Sequence, residues 1–176
     1  MMKIARTGWL LLAAAGIGAS HAEVEFIGGD IHFTGRLVAQ PCIVDPESQD
    51  FSVELGQSSI QTIQQNGGKG PAVPFSIQLH QCNSKVAKSV TVTFKGVEDS
   101  QLAGGLQTSG SASGIALRLL TGADETVIDV NQPAPESPLV AGDNSLNFKV
   151  RVETLPESPV EAGDFTASAT FALSYQ

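Results

Sequence analysis

The sequence predicts an all-β sandwich. Three observations point there: apolar residues recur at every second position in many short segments, Gly, Pro and Asn clusters separate those segments, and no convincing amphipathic helix interrupts them. A period of two puts alternate side chains on one face of a strand, so each segment presents one buried and one solvated face. Two such sheets must then cover each other.

The chain opens with a different kind of segment. Lys3 and Arg6 precede an apolar run from Gly8 to Ile17, and Ser20-His21-Ala22 supplies a small-x-small cleavage pattern, so residues 1–22 read as a secretory signal. The mature chain is expected to begin at Glu23, and its 154 residues suffice for one core. The apolar run is too short for a membrane anchor, and no later stretch is long and apolar enough to span a bilayer. No membrane anchor is expected.

From Glu23 to Gly35, Ile27, Ile31 and Phe33 keep even spacing with Gly29 between them. This is a strand-like terminal segment weakened by Gly28-Gly29, because glycine loses most entropy on ordering and offers nothing to pack. It suits insertion into a preformed groove better than folding alone, an ordinary first strand being the alternative. Arg36–Val44 reads as a strand around Pro41-Cys42. Phe51, Val53 and Leu55 alternate before Gly56, and Ile60 and Ile63 suggest another short extended piece. Gln64–Gly70 reads as a turn region. Val73, Phe75, Ile77 and Leu79 then alternate into Cys82, and Val90, Val92 and Phe94 follow in the same rhythm. After a small-residue loop over Gly104–Gly114 come strands at Ile115, Leu117 and Leu119 and at Val127, Ile128 and Val130. A proline-rich loop over Asn131–Gly142 precedes Leu146, Phe148, Val150 and Val152.

The final strand follows the turn over Pro156–Gly163. Phe165, Ala167, Ala169, Phe171, Leu173 and Tyr175 share one face. Nothing after Tyr175 could pair with it, so this strand is expected at a sheet edge. Such an edge is normally blunted or covered, and the expected cover is another protein. An immunoglobulin-like topology fits the pattern. The only tryptophan, Trp9, lies in the signal, which separates the chain from antibody-type domains with a tryptophan against the disulfide.

Losing Lys3 and Arg6 leaves 8 basic against 18 acidic residues, a net charge near −10. Nucleic acid is not an expected partner, since phosphate binding needs a cationic surface and the few lysines are scattered. Cys42 and Cys82, the only cysteines, are expected to form one disulfide in an exported chain. They make no zinc site with His32 or His80. These two histidines sit at alternating strand positions as solvent-facing or hydrogen-bonded residues, and Asp30, Asp45, Glu47 and Asp50 read as surface and turn residues. No nucleophile elbow, metal motif, phosphate loop or framed carboxylate pair is present. The protein is therefore expected to be no enzyme and to carry no cofactor or metal.

Three stretches carry a resemblance. Gly28-Gly29-Asp30-Ile31-His32-Phe33-Thr34-Gly35 is followed seven residues later by Cys42. Phe75-Ser76-Ile77-Gln78-Leu79-His80-Gln81-Cys82 is the second, and the third places Gly163 fourteenth from the end with Tyr175 penultimate. In this order behind a signal peptide, they resemble the major structural subunits of chaperone–usher pili, the type 1 fimbrial family, over essentially the whole mature chain.

The resemblance implies an incomplete immunoglobulin-like sandwich lacking its last strand, with a groove beside the C-terminal strand. It implies a donor-strand extension over residues 23–35 and a pilin domain over 36–176. A periplasmic chaperone would lend a strand to the groove, and at the outer-membrane usher the extension of the next subunit would replace it. Ile27, Ile31 and Phe33 would then fill pockets on the preceding subunit and Gly29 a narrow one. Gly163, Phe165, Ala167, Ala169, Phe171, Leu173 and Tyr175 would form the chaperone-recognised groove edge. Phe26 has the opposite parity to Phe33 and falls outside the groove in this register. A shift by one would turn Val24, Phe26 and His32 inward and bury Asp30. Glu23 and Glu25 leave the register of the front end open. The expected function is that of a structural subunit polymerising head to tail in a surface fimbria after export through the periplasm. The alternatives are a minor adaptor or tip adhesin subunit and, from another class, a small periplasmic enzyme.

Overall fold

The computed structural model describes residues 31–35 and 40–176. Val38–Gln176 forms one compact unit, and the described residues before it belong to a separate one. In the second of these, residues 31–35 adopt no strand and are exposed. The rest of the expected extension, including Ile27 and Gly29, lies outside the described residues.

In chain order the elements are β1 (Ile43–Val44), a short 3-10 turn (Pro46–Ser48), α1 (Ile60–Gln65), β2 (Val73–Cys82), β3 (Ser89–Lys95), β4 (Leu106–Gln107), β5 (Ser109–Gly110), β6 (Ile115–Thr121), β7 (Val127–Ile128), β8 (Ser137–Pro138), β9 (Gly142–Thr154), β10 (Phe165–Thr166) and β11 (Thr170–Tyr175). The larger sheet runs β1-β2-β9-β6-β4, with β7 also on β6. The facing sheet runs β11-β3-β8, and β10 pairs with β5 alone. All of these pairings are antiparallel.

The alternating segments meet where parity puts them. Ile77 and Leu79 of β2, Leu146, Phe148, Val150 and Val152 of β9, and Leu117 and Leu119 of β6 are buried against Val90, Val92 and Phe94 of β3. Each such side chain contributes about 1.5–3 kcal/mol by leaving water. Aromatic rings tie the two sheets together: Phe94 meets Phe148 edge-on at 5.0 Å and Phe75 at 6.0 Å, the geometry the ring quadrupole favours.

The outer face of β6 and β9 carries charge instead. Arg118 lies directly opposite Arg151, an unfavourable pair by itself. Glu153 resolves it, accepting from Arg118 Nε at 3.2 Å and from Arg151 at 2.6 Å, while Arg118 also donates to the Ala103 carbonyl at 2.7 Å.

Cys42 and Cys82 are bonded and buried. Parity alone would aim Gln81, two residues after the inward Leu79, at the core. A register shift between Leu79 and Cys82, with Gln81 at φ 52°, turns Cys82 inward instead. Closing a loop across a sequence separation of 40 stabilises the fold by about 4 kcal/mol in the chain-entropy account.

Two sequence readings need correction. Ile60 and Ile63, expected to be extended, lie on the short helix α1. A spacing of three puts both on one helical face, the intervening Gln and Thr residues tolerate a helix, and Asn66-Gly67-Gly68 ends it with Gly67 and Gly68 at positive φ. The turn region therefore begins after Gln65 rather than at Gln64. The second correction concerns Phe51, Val53 and Leu55, which alternate but belong to no ladder among the described residues. The strand expected over Arg36–Val44 is limited, among its described residues, to Ile43–Val44.

His80, on β2, is hydrogen-bonded as expected of a strand histidine. Its Nδ1 lies 3.0 Å from Asp143 and its Nε2 2.7 Å from Asp45. The Asp143 carboxylate, then that of Asp45, raises the imidazole pKa above the usual 6.5. The same contact with His80, helped by the Glu47 backbone N–H, lowers that of Asp45. A raised histidine pKa adds stability that is complete below 6.5 and lost as pH rises through the folded-state value. We expect the urea midpoint to fall as pH is raised above 6.5 and His80→Gln to flatten that dependence; an unchanged slope in the variant would assign the trend to other groups.

Candidate functional site

The sandwich is not closed along one side. A groove of about 1590 Å³ runs there between two walls. One is the strap of residues 49–58, in which Val53 and Leu55 are half-buried while Glu54 and Gln57 face solvent. The other is the segment 160–171. The floor belongs to both sheets: Phe75, Leu117, Leu119, Val150 and Val152 come from the larger one and Phe94 from the facing one. Ile60 and Ile63 of α1 also contribute.

β11 sits at the end of its sheet, paired to β3 from Thr170↔Lys95 to Tyr175↔Val90. In an antiparallel ladder every second residue directs its N–H and C=O away from the partner. Among the described residues no strand meets those groups on the far side of β11. The inward side chains Phe171 and Leu173 are accordingly only half-buried, although they pack against the core.

The start of the second wall is held by glycine. Phe165 pairs with Gly110 and Thr166 with Ser109, and Asp164 ties down the next turn by accepting from the N–H groups of Ser111 and Ala112 at 2.9 and 3.1 Å. A Cβ on Gly163 would overlap the Ala112 nitrogen and the Ser111 backbone, and one on Gly110 would overlap the Asp164 carbonyl oxygen. The backbones approach this closely only because Gly110 and Gly163 have no Cβ to aim at the facing segment.

Of the sequence-predicted groove edge, Gly163, Phe165, Ala167, Ala169 and Phe171 line this cavity, and Leu173 and Tyr175, further along β11, are half-buried and packed against the core. Ala169 breaks the alternation and is exposed, because residues 167–169 form no ladder between β10 and β11. Burial also pushes the Tyr175 phenol pKa up. The opposite wall was not read as part of the site. Its signal was the alternation of Phe51, Val53 and Leu55, a strand pattern whose backbone pairs with no other described segment. Of the expected donor residues, Ile31 and Phe33 are 75 % and 90 % exposed.

A sequence profile described as fimbrial protein matches residues 31–176. The chain belongs to the fimbrial protein family. This fimbrial subunit is 34 % identical over 176 residues to the fimbria A protein of Serratia marcescens, across 99 % of this chain and 100 % of that one. It is 33 % identical over 187 residues to the type-1 fimbrial protein A chain of Escherichia coli, again across 99 % and 100 %. A chain from a structure of a chaperone–usher pilus superposes with a TM-score of 0.67 at 26 % identity, covering 88 % of the subunit and 100 % of that chain. The subunit is therefore a structural component of a surface fimbrium, a chaperone–usher pilin that polymerises with other pilins, and not an enzyme. Its fold is the incomplete immunoglobulin-like sandwich.

Gly163→Ala should force the rim away from Ser111 and Ala112 and destabilise the subunit by about 1–3 kcal/mol, the usual cost of overpacking. Chemical denaturation measures this, and a loss below a few tenths would show that the crossing yields without cost.

Proposed function

We propose that this groove accepts a β-strand from a second protein, first a periplasmic chaperone and then, at an outer-membrane usher, the extension at residues 23–35 of the next subunit. The observation that carries the reading is a groove floored by both sheets and bordered on one side by a strand with an unpaired edge. Strand addition satisfies both surfaces at once, main-chain groups pairing along the edge while alternate side chains enter the floor. In the proposed register Ile27, Ile31 and Phe33 enter, and Gly29 lies where the backbone must approach closely. Burying three apolar side chains contributes on the order of 5–9 kcal/mol before ordering costs.

The signal at residues 1–22 takes the chain to the periplasm, where the exposed floor makes chaperone capture necessary. Each subunit then offers one groove and one extension, surfaces that differ from each other. A heterologous contact of that kind does not close on itself and propagates as a filament.

Deleting residues 23–35 tests the scheme. The shortened chain should still form a complex with chaperone and cap a growing fibre but should not extend it, as seen by electron microscopy and by the ladder on unheated gels. Fibres of normal length would remove the extension from the mechanism. Capture has its own test: Phe171→Ala, which shortens a groove-lining side chain, and Tyr175→Ala, which removes packing further along β11, should both lower periplasmic abundance. Unchanged yield of either variant without chaperone would count against chaperone dependence.

A further inference from the structure

The walls of the groove carry charge of one sign. Asp50 and Glu54 stand on the strap, Glu161 and Asp164 on the opposite side, all four exposed. Among the described residues lining the groove there is no Lys, Arg or His. An incoming strand therefore approaches between two negative rims. The extension at residues 23–35 contains Glu23, Glu25 and Asp30 and no Lys or Arg. In the proposed register its parity makes matters worse, because Glu23 and Glu25 share the parity of Ile27 and would fall on the groove-facing side.

Resting on the strand-acceptor reading above, we propose that the acidic rims make the groove charge-selective: it takes an edge strand with cationic flanking side chains, supplied by a basic protein, faster than it takes this chain's own extension. Like charges on an acceptor and its donor slow encounter, and opposite charges speed it, with changes in rate of 10- to 1,000-fold at low ionic strength that fade as salt screens them. The consequence for assembly is a kinetic order. A cationic strand is captured promptly, and copies of the subunit do not polymerise with one another before they are brought together.

The test uses the full secreted chain and three labelled peptides. The first copies residues 23–35, the second carries Glu23→Lys, Glu25→Lys and Asp30→Lys with the same apolar residues, and the third scrambles the second. Stopped-flow association at low and high salt is compared for the chain and for its Asp50→Asn, Glu54→Gln, Glu161→Gln variant. The cationic copy should associate about tenfold faster than the native copy at low salt. The difference should shrink at high salt and in the rim variant, while the scrambled peptide stays slow. Equal rates for the two ordered peptides would overturn charge selection and leave the acceptor groove standing. A scrambled peptide as fast as the ordered cationic one, or a rate difference unchanged in the rim variant, would assign the effect to the overall acidity of the chain and also overturn it. Binding of neither ordered peptide would overturn the acceptor reading together with the inference built on it.

Discussion

The edge of β11 is the constraint on which the rest of the structure turns. On one side its residues complete a ladder with β3; on the other, main-chain donors and acceptors border an apolar floor drawn from both sheets. A hydrophobic floor is stable only when covered, and an unpaired strand edge is a template for another strand. One added strand meets both needs. That economy relates a single-domain sandwich to a filament, because completing one subunit's fold requires a segment of another in the mechanism proposed.

Around this edge, the remaining features keep the groove open and in place. The disulfide fixes the chain just before β1 to the end of β2, so the strap that follows leaves from an anchored point. Asp45 and Asp143 hold His80 from two sides and join the 3-10 turn to β2 and β9. On the opposite wall, Gly110 and Gly163 let two backbones cross, which directs residues 163–171 along the rim rather than across the floor. The groove is therefore a built surface, bounded by a covalent link on one side and a close backbone crossing on the other.

Much of this architecture could be read from residue order. Val73–Leu79, Val90–Phe94, Ile115–Leu119 and Leu146–Val152 alternate with enough β-branched and aromatic residues that no helical reading competes. Those runs became β2, β3, β6 and β9, the two sheets' central strands. Ile60 and Ile63 were ambiguous because two apolar residues three apart suit a helical turn as well as an irregular extended piece, and the Gly pair that stops the helix is equally a loop signal. The strap was half legible: its alternation agrees with the half-burial of Val53 and Leu55, whereas Phe51, of the same parity, is exposed.

By itself, the sequence determined the fold class, the two cysteines available to each other and the faces of the central strands, since these depend on local periodicity and composition. Only the tertiary structure decided that residues 49–58 form the second wall, that a shifted register turns Cys82 inward, and that four carboxylates line the rims. Those facts depend on which distant segments come together and at what separation. Periodicity along one strand carries no information about its neighbour across a gap.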